Sequence, residues 1–390
     1  MTGTTRRPLH VAQISFFCDP AQRPPVQLLE TWTTLVDVAE AARRGNVRVS
    51  VLQASSHSQQ LVRDGVEYYF LPFGSASRSS SVALAERLHA LAPDLFHVHG
   101  LGFHRDVQSL ATLAPGVPII LQDHASRPPR LRRRAWRRGM ASAAAIAFCA
   151  SEQARPFRDA GLLQARTRVY EIPESTSRFT PGERAEARRQ TGIEGDPAIL
   201  WVGHLDANKD PLSILNGVSA AARALPQLRL YCCFGVAPLL RAVQERIAAD
   251  AALRERVYLL GRVPHEQVEL LMRAADLFVL GSHREGSGYA LIEALACGLP
   301  PVVTDIPSFR VLTGAGAVGR LWPRGDSRAL GEALQSIAAS ADEGMRAAVR
   351  EHFDRELSFD ALGAKLANMY VEVIEYDRGN SSAQCAPEDL

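Results

Sequence analysis

Glu285 and Glu293 bracket the segment Glu285-Gly-Ser-Gly-Tyr-Ala-Leu-Ile-Glu293. Eight residues of helix rise by ~12 Å, comparable to the distance between a sugar and a ribose joined through a diphosphate. Glu293 would accept two charge-assisted hydrogen bonds from a ribose diol, and Glu285 would do the same for sugar hydroxyls. The apolar run Leu277–Leu280 predicts a strand that ends just before this segment, with a helix beginning near Tyr289. Gly286 and Gly288, with Ser287 between them, let backbone approach a ligand at the helix start. Unpaired N–H groups favour an anion there, and a diphosphate fits. Solvated surface glutamates are the plain alternative. The glycines and the strand–loop–helix context argue for a site.

A second candidate is Trp201-Val-Gly203-His204-Leu-Asp-Ala-Asn-Lys209, which follows a predicted strand and precedes a helix. It occupies a phosphate-facing turn, with Gly203 at the strand end. Lys209 would neutralise charge developing on a departing diphosphate; loss of such a group commonly costs ~3 kcal/mol of barrier.

Together these segments resemble the retaining glycosyltransferases of family 4, which have the GT-B fold of two Rossmann-like domains facing across a cleft. Ala294-Leu-Ala-Cys-Gly298-Leu-Pro300, Val302-Val-Thr-Asp305 and Pro323-Arg-Gly-Asp326 share the resemblance. By this resemblance Glu285 contacts the donor sugar and Glu293 the nucleotide ribose. Gly203, His204, Gly286, Ser287, Gly288 and Tyr289 belong to the donor side. The family has an arginine and a lysine on the diphosphate; this chain keeps Lys209 but has His204 at the arginine position. A neutral imidazole has one donor where guanidinium has a permanent charge and a fork.

The implied reaction moves a hexosyl group from a nucleotide-diphosphate sugar to an acceptor hydroxyl with retained anomeric configuration. A UDP-sugar is the first choice and a GDP-sugar the second, with no metal and no cofactor. The acceptor would be a saccharide, a lipid-linked sugar or a small metabolite. Domain closure would exclude water, and the family's front-face mechanism requires no carboxylate nucleophile. Two other readings remain: a catalytically weak GT-B partner subunit, and a nucleotide-sugar epimerase on the same fold.

The N-terminal half contributes Asp94-Leu-Phe-His97-Val-His99-Gly100 and Leu121-Gln-Asp123-His124. His124 resembles the histidine that the family presents to the sugar, which would make it catalytic beside Glu285 and Lys209. Asp123 would orient substrate, and His99 would line the cleft. His97 and His99 have metal-like spacing, but no third ligand stands at a fitting interval, so no metal is expected. Near the start, Cys18-Asp-Pro-Ala-Gln-Arg23-Pro-Pro replaces the family's Gly-Gly loop. Arg23 would there substitute a side-chain charge for backbone N–H groups. Glu174 and Ser175 stand where many members have Pro-Asn-Gly, and Glu174 is a further acceptor-side candidate.

The elements that must position these residues are apolar runs alternating with helix-period segments. The first set of strands is predicted at His10–Phe17, Val47–Ala54, Val66–Leu71, Leu95–His99, Pro118–Gln122, Ala145–Ala150 and Arg168–Ile172. The second lies at Ala198–Val202, Leu228–Phe234, Val257–Leu260, Leu277–Leu280 and Pro301–Thr304. The expected fold class is therefore α/β with two doubly wound domains. Residues 1–175 form the acceptor-side domain, 176–196 a linker and 197–356 the donor domain. Residues 357–378 are a helix crossing back, and 379–390 a disordered tail.

The chain has 390 residues, with 44 Lys and Arg against 42 Asp and Glu, so its net charge of +2 gives no reason to expect nucleic acid as a partner. The basic run Arg127-Pro-Pro-Arg-Leu-Arg-Arg-Arg-Ala-Trp-Arg-Arg138 is either a solvated helix face or a peripheral membrane contact. No apolar run approaches the ~20 residues of a spanning helix, and Val11–Phe17 followed by Cys18-Asp-Pro reads as a buried strand rather than a leader. The six cysteines lack zinc spacing and read as reduced core thiols. A cytoplasmic protein, at most peripheral to the inner membrane face, is expected. Gly314-Ala-Gly316-Ala-Val-Gly319 spells a dinucleotide fingerprint but precedes a strand-like run instead of following one.

Overall fold

A computed structural model describes residues 7–73, 80–340 and 342–384. The chain folds as two units: Met1–Ser175 with Phe359–Leu390, and Thr176–Ser358. In the first unit the strands are β1 (His10–Ser15), β2 (Arg48–Ala54), β3 (Gln59–Arg63), β4 (Val66–Leu71), β5 (Leu95–His99), β6 (Ile119–Gln122), β7 (Ala145–Phe148) and β8 (Arg168–Glu171). Their order is β3-β4-β2-β1-β5-β6-β7-β8, parallel throughout except for the β3–β4 hairpin. The second unit has β9 (Ala198–Gly203), β10 (Arg229–Phe234), β11 (Val257–Gly261), β12 (Leu277–Leu280), β13 (Pro301–Thr304) and β14 (Arg320–Trp322), ordered β11-β10-β9-β12-β13-β14 and all parallel.

Alternation along each strand explains the continuous apolar runs of the first unit. Val11, Val49, Val51, Leu95, Ile120 and Ala145 enter one core, shared with the helices Thr33–Arg44 and Phe359–Gln384. Ala12, Ile14, Leu52, Phe96, Val98, Leu121 and Ile146 enter a second core on the opposite face. A sheet covered on both faces has no polar period to show.

The C-terminal helix docks through an approach that only glycine allows. A Cβ on Gly363 would stand 2.2 Å from the Ala41 carbonyl oxygen, and one on Gly45 would stand 2.3 Å from the Gly363 oxygen.

Some elements differ from those expected of the sequence. The segment at 176–196 is built into the second unit instead of forming a linker. Its helix Arg184–Thr191 is held because Arg184 and Arg188 share the Asp276 carboxylate at 2.7 and 2.6 Å, and Asp276 also accepts the Ala198 N–H. The last helix continues to Gln384, past the expected end at 378, because each added residue of an established helix gains a backbone hydrogen bond. Residues 385–390 of the expected tail, with Cys385, lie outside the described residues. Strand β3 and its Asp64-Gly65 turn were missed, whereas β14 is the strand-like run expected after Gly319. Between β1 and β2 the chain forms two helices, Pro25–Thr31 and Thr33–Arg44, broken at Trp32. Four cysteines are buried, but Cys18 is exposed on the loop after β1.

Candidate functional site

In the second unit the strand order reverses between β9 and β12, which pair directly. Ligands of doubly wound sheets bind outside the carboxyl ends of the strands at such a reversal. The loop after β9 carries His204 and Lys209; the loop after β12 carries Glu285, Gly286, Ser287 and Gly288. Topology thus brings together two segments 76 residues apart.

Lys209 Nζ donates to Glu285 Oε1 at 2.5 Å, with both side chains less than one-fifth exposed. Two backbone-directed bonds join the same loops: His283 N–H donates to the Asn208 carbonyl at 2.7 Å, and Asn208 Nδ2 donates to the Arg284 carbonyl at 2.9 Å. The Lys209 N–H is itself capped by Asp206 Oδ1 at 2.9 Å. The lysine is therefore fixed at its base and its tip. The pair sets a hydrogen-bond acceptor and a cation side by side at this strand end.

The helix Tyr289–Ala296 starts at Gly288, whose φ of 95° suits glycine and whose hypothetical Cβ would lie 2.6 Å from Phe309 Cε1. Gly286 and Ser287 are buried, Tyr289 is 40% exposed, and Ser282 Oγ is buried with no protein partner. Glu285 lies in the loop, four residues before the helix, so the two glutamates do not share one helix and the expected helical rise does not set their separation. Glu293, on the helix, accepts from His265 Nε2 at 2.6 Å; the His265 ring packs on Phe179 with centroids 4.7 Å apart. Sequence reasoning missed His265. Its only signal was a histidine at the first turn of a helix after β11.

His204 is exposed, and its Nδ1 accepts the Val236 N–H at 3.4 Å. In that role Nδ1 is an acceptor and Nε2 the ring's donor. Gly203 ends β9 beside the Lys209 side chain, 3.6 Å from where its Cβ would sit. His283 was also missed; its Nε2 is 3.0 Å from Asp210 Oδ2, at the start of the helix Pro211–Ala221.

The first unit gathers a different group. Its lower strand ends bury Val11, Leu95 and Ile120, whereas their upper ends carry Gln13, His97, His99 and Gln122 with the same parity. His97 Nδ1 is 2.8 Å from the Tyr370 hydroxyl, and its ring stacks on His99 with centroids 4.8 Å apart. His99 Nδ1 lies 3.2 Å from His124 Nε2, and His124 Nδ1 lies 2.5 Å from Glu174 Oε2. Burial drives the His97 pKa down to about 3 and holds His99 well below its ordinary value. These rings are neutral, and His97 Nε2 and His99 Nε2 are buried without partners.

This arrangement changes the expected role of His124. The Glu174 carboxylate only accepts, so His124 donates through Nδ1, while its Nε2 lies against His99 Nδ1. Both ring nitrogens are used inside the first unit. Asp123 turns back to accept the Ser126 N–H at 2.9 Å, and burial raises its pKa. Arg23 does not extend a loose charge: it grips Asp19 through Nε at 2.7 Å and Nη2 at 3.0 Å, holding that carboxyl well below the usual range. Among the described residues no cluster of three or more His, Cys, Asp or Glu is arranged to hold a metal ion.

The second unit is similar to known proteins. Residues 183–352 match the family described as glycosyl transferases group 1. This stretch contains Lys209, Glu285 and Glu293 together with all of β9–β14. Across 64% of the chain, 28% of residues match a GDP-mannose:cellobiosyl-diphosphopolyprenol alpha-mannosyltransferase of Xanthomonas campestris, covering 66% of that protein. A D-inositol 3-phosphate glycosyltransferase of Nocardia farcinica is 28% identical over 47% of the chain and 43% of its own length. The matched stretches thus span about two thirds of the first relative and less than half of the second. The sucrose-phosphate synthase of Thermosynechococcus elongatus shares the fold, with a TM-score of 0.70 at 19% identity, covering 94% of this chain and all of that one. The fold is GT-B, with two Rossmann-like units.

Proposed function

We propose that this protein is a retaining, metal-independent hexosyltransferase of family 4 that uses a nucleoside-diphosphate sugar. The Lys209–Glu285 pair at the strand reversal carries the reading, because it sets a cation beside a hydroxyl acceptor where a doubly wound sheet binds its ligand. In this reading the diphosphate sits at the start of the helix Tyr289–Ala296, and Lys209 neutralises the leaving group as the glycosidic bond breaks. Glu285 holds sugar hydroxyls, while Glu293 exchanges His265 for the ribose diol. His124 is not assigned a donor contact, since Glu174 and His99 already occupy it.

Calorimetry with UDP, GDP and their hexose conjugates tests this reading. One diphosphate should bind the wild type, and Glu293→Ala should weaken it about tenfold or more, the loss of a charge-assisted pair. Unchanged binding in that variant would remove Glu293 from the site.

The relatives differ in acceptor: one is named for a diphosphopolyprenol-linked disaccharide, the other for inositol 3-phosphate. A surface feature favours the lipid-linked class, acting at the inner membrane face from the cytoplasm. Arg127, Arg130, Arg132, Arg133, Arg134, Arg137 and Arg138 are all exposed, without a carboxylate partner among the described residues, and Leu131 beside them is 81% exposed. The helix Arg133–Ala141 is anchored by its other side, where Trp136 stacks on His104. Among the described residues no helix is long and apolar enough to cross a membrane. Sedimentation with anionic vesicles should retain the wild type at low salt and release a variant with Arg133, Arg134, Arg137 and Arg138 changed to Glu. Equal sedimentation of both would exclude this surface.

A further inference from the structure

Apart from Arg284 and Arg324, the cations named around the donor loops already face carboxylates. Lys209 is paired with Glu285, His283 with Asp210, and Arg310 with Asp305. His204 accepts a backbone N–H through Nδ1 and lacks the permanent charge of a guanidinium. A nucleoside diphosphate brings more than one negative charge, and a helix start alone supplies about half a positive one.

Arg324 lies just past β14, and its Nη1 donates to the His283 carbonyl at 3.3 Å. Strand β14 pairs with β13, and β13 with β12. Adjacent strands are ~4.8 Å apart, so a side chain from the end of β14 that reaches the loop after β12 must pass over the carboxyl end of β13. That places the guanidinium above the end of the sheet, where this fold binds ligands. His283 N–H in turn donates to Asn208, one residue before Lys209, so the contact falls on the seam between the two donor loops. Arg324 is exposed and has no carboxylate partner among the described residues. One N–H is used to aim the group, and the rest of the fork matches paired phosphate oxygens.

We propose that Arg324 is a diphosphate-binding residue of the donor site and supplies the permanent cation that His204 does not. The inference rests on the donor reading above and assigns that site's charge to a residue from a different strand end. It also predicts an exchange: an arginine restored at position 204 should make Arg324 dispensable.

The test is calorimetry with UDP and GDP at several salt concentrations on the wild type, Arg324→Ala, Arg324→Lys and Arg324→Ala/His204→Arg. The diphosphate that binds the wild type should lose about tenfold in Arg324→Ala, with a shallower salt dependence. Lysine should recover part of the loss, and the double variant most of it, with melting temperatures unchanged. Wild-type affinity and salt dependence in Arg324→Ala, beside a loss in Glu293→Ala, would overturn the role of Arg324 and leave the donor reading standing. A loss that neither lysine nor the double variant recovers would make Arg324 a packing residue and also overturn the proposal. A wild type that binds neither diphosphate would overturn the donor reading itself.

Discussion

The two units set polar groups at the carboxyl ends of a parallel sheet by opposite means. In the second unit the groups lie on loops and are matched in pairs, Lys209 with Glu285 and His283 with Asp210. In the first unit they are mainly neutral rings and amides buried on the strands, Gln13, His97, His99 and Gln122, the first two meeting Tyr370 of the C-terminal helix. Loop charges can exchange partners with a ligand at small structural cost. Strand-borne neutral groups cannot, because each lost bond leaves a buried orphan. The first arrangement suits binding and release; the second suits a fixed frame.

Breaking the charged pair should give the largest effect. In the proposed reaction Lys209→Ala removes the cation that faces the leaving group and should raise the barrier by about 3 kcal/mol, roughly a hundredfold in kcat. The partners form a unit, so Lys209→Ala/Glu285→Gln should cost much less than the sum of the single losses. Steady-state rates for the four members of this cycle check the point; strict additivity would mean the two groups act on separate steps.

The same contrast decides what was legible in the sequence. Glu285, Gly286, Gly288 and Glu293 lie within nine residues, and their chemistry shows as spacing. Lys209 was readable because it follows a strand and precedes a helix. The pairing of Lys209 with Glu285 needed the sheet order, which places β12 beside β9, so no local pattern contained it. The histidine chain was hidden differently. His97 and His99 were visible, but their partner Tyr370 lies 273 residues from His97, on a helix whose docking depends on Gly45 and Gly363. The role of His124 was not legible, because a histidine at a strand end looks the same whether its nitrogens face a ligand or Glu174. Strand β3 was legible and missed: Asp64-Gly65 between two β-rich runs is a hairpin signal.

A smaller effect tests the frame through its lid. Gly363→Val would drive a side chain into the Ala41 carbonyl and push the C-terminal helix away, weakening the Tyr370 contact with His97. Overpacking of this kind costs about 2 kcal/mol. Thermal melting should show the loss, whereas diphosphate affinity measured well below the melting temperature should not change, since the second unit has its own sheet. A parallel fall in affinity would tie the donor loops to the first unit's frame.

The smallest effect is the most specific. His97 takes up a proton in the folded state only near pH 3, against 6.5 for an ordinary histidine. Between those values the unfolded chain binds a proton that the folded chain excludes, so stability rises with pH across this window and is lost as pH falls below about 6.5. One such group contributes a slope of at most about 1.4 kcal/mol per pH unit. The carboxylates that titrate in the same range are common to wild type and variant, so their difference isolates the histidine. Urea unfolding of wild type and His97→Phe from pH 7.5 to 4.5 should therefore show a variant whose stability falls less steeply with acid, even if it starts lower for want of the Tyr370 bond. Parallel curves would mean that His97 is protonated within the fold, and that the polar face of the first unit is charged like the donor loops.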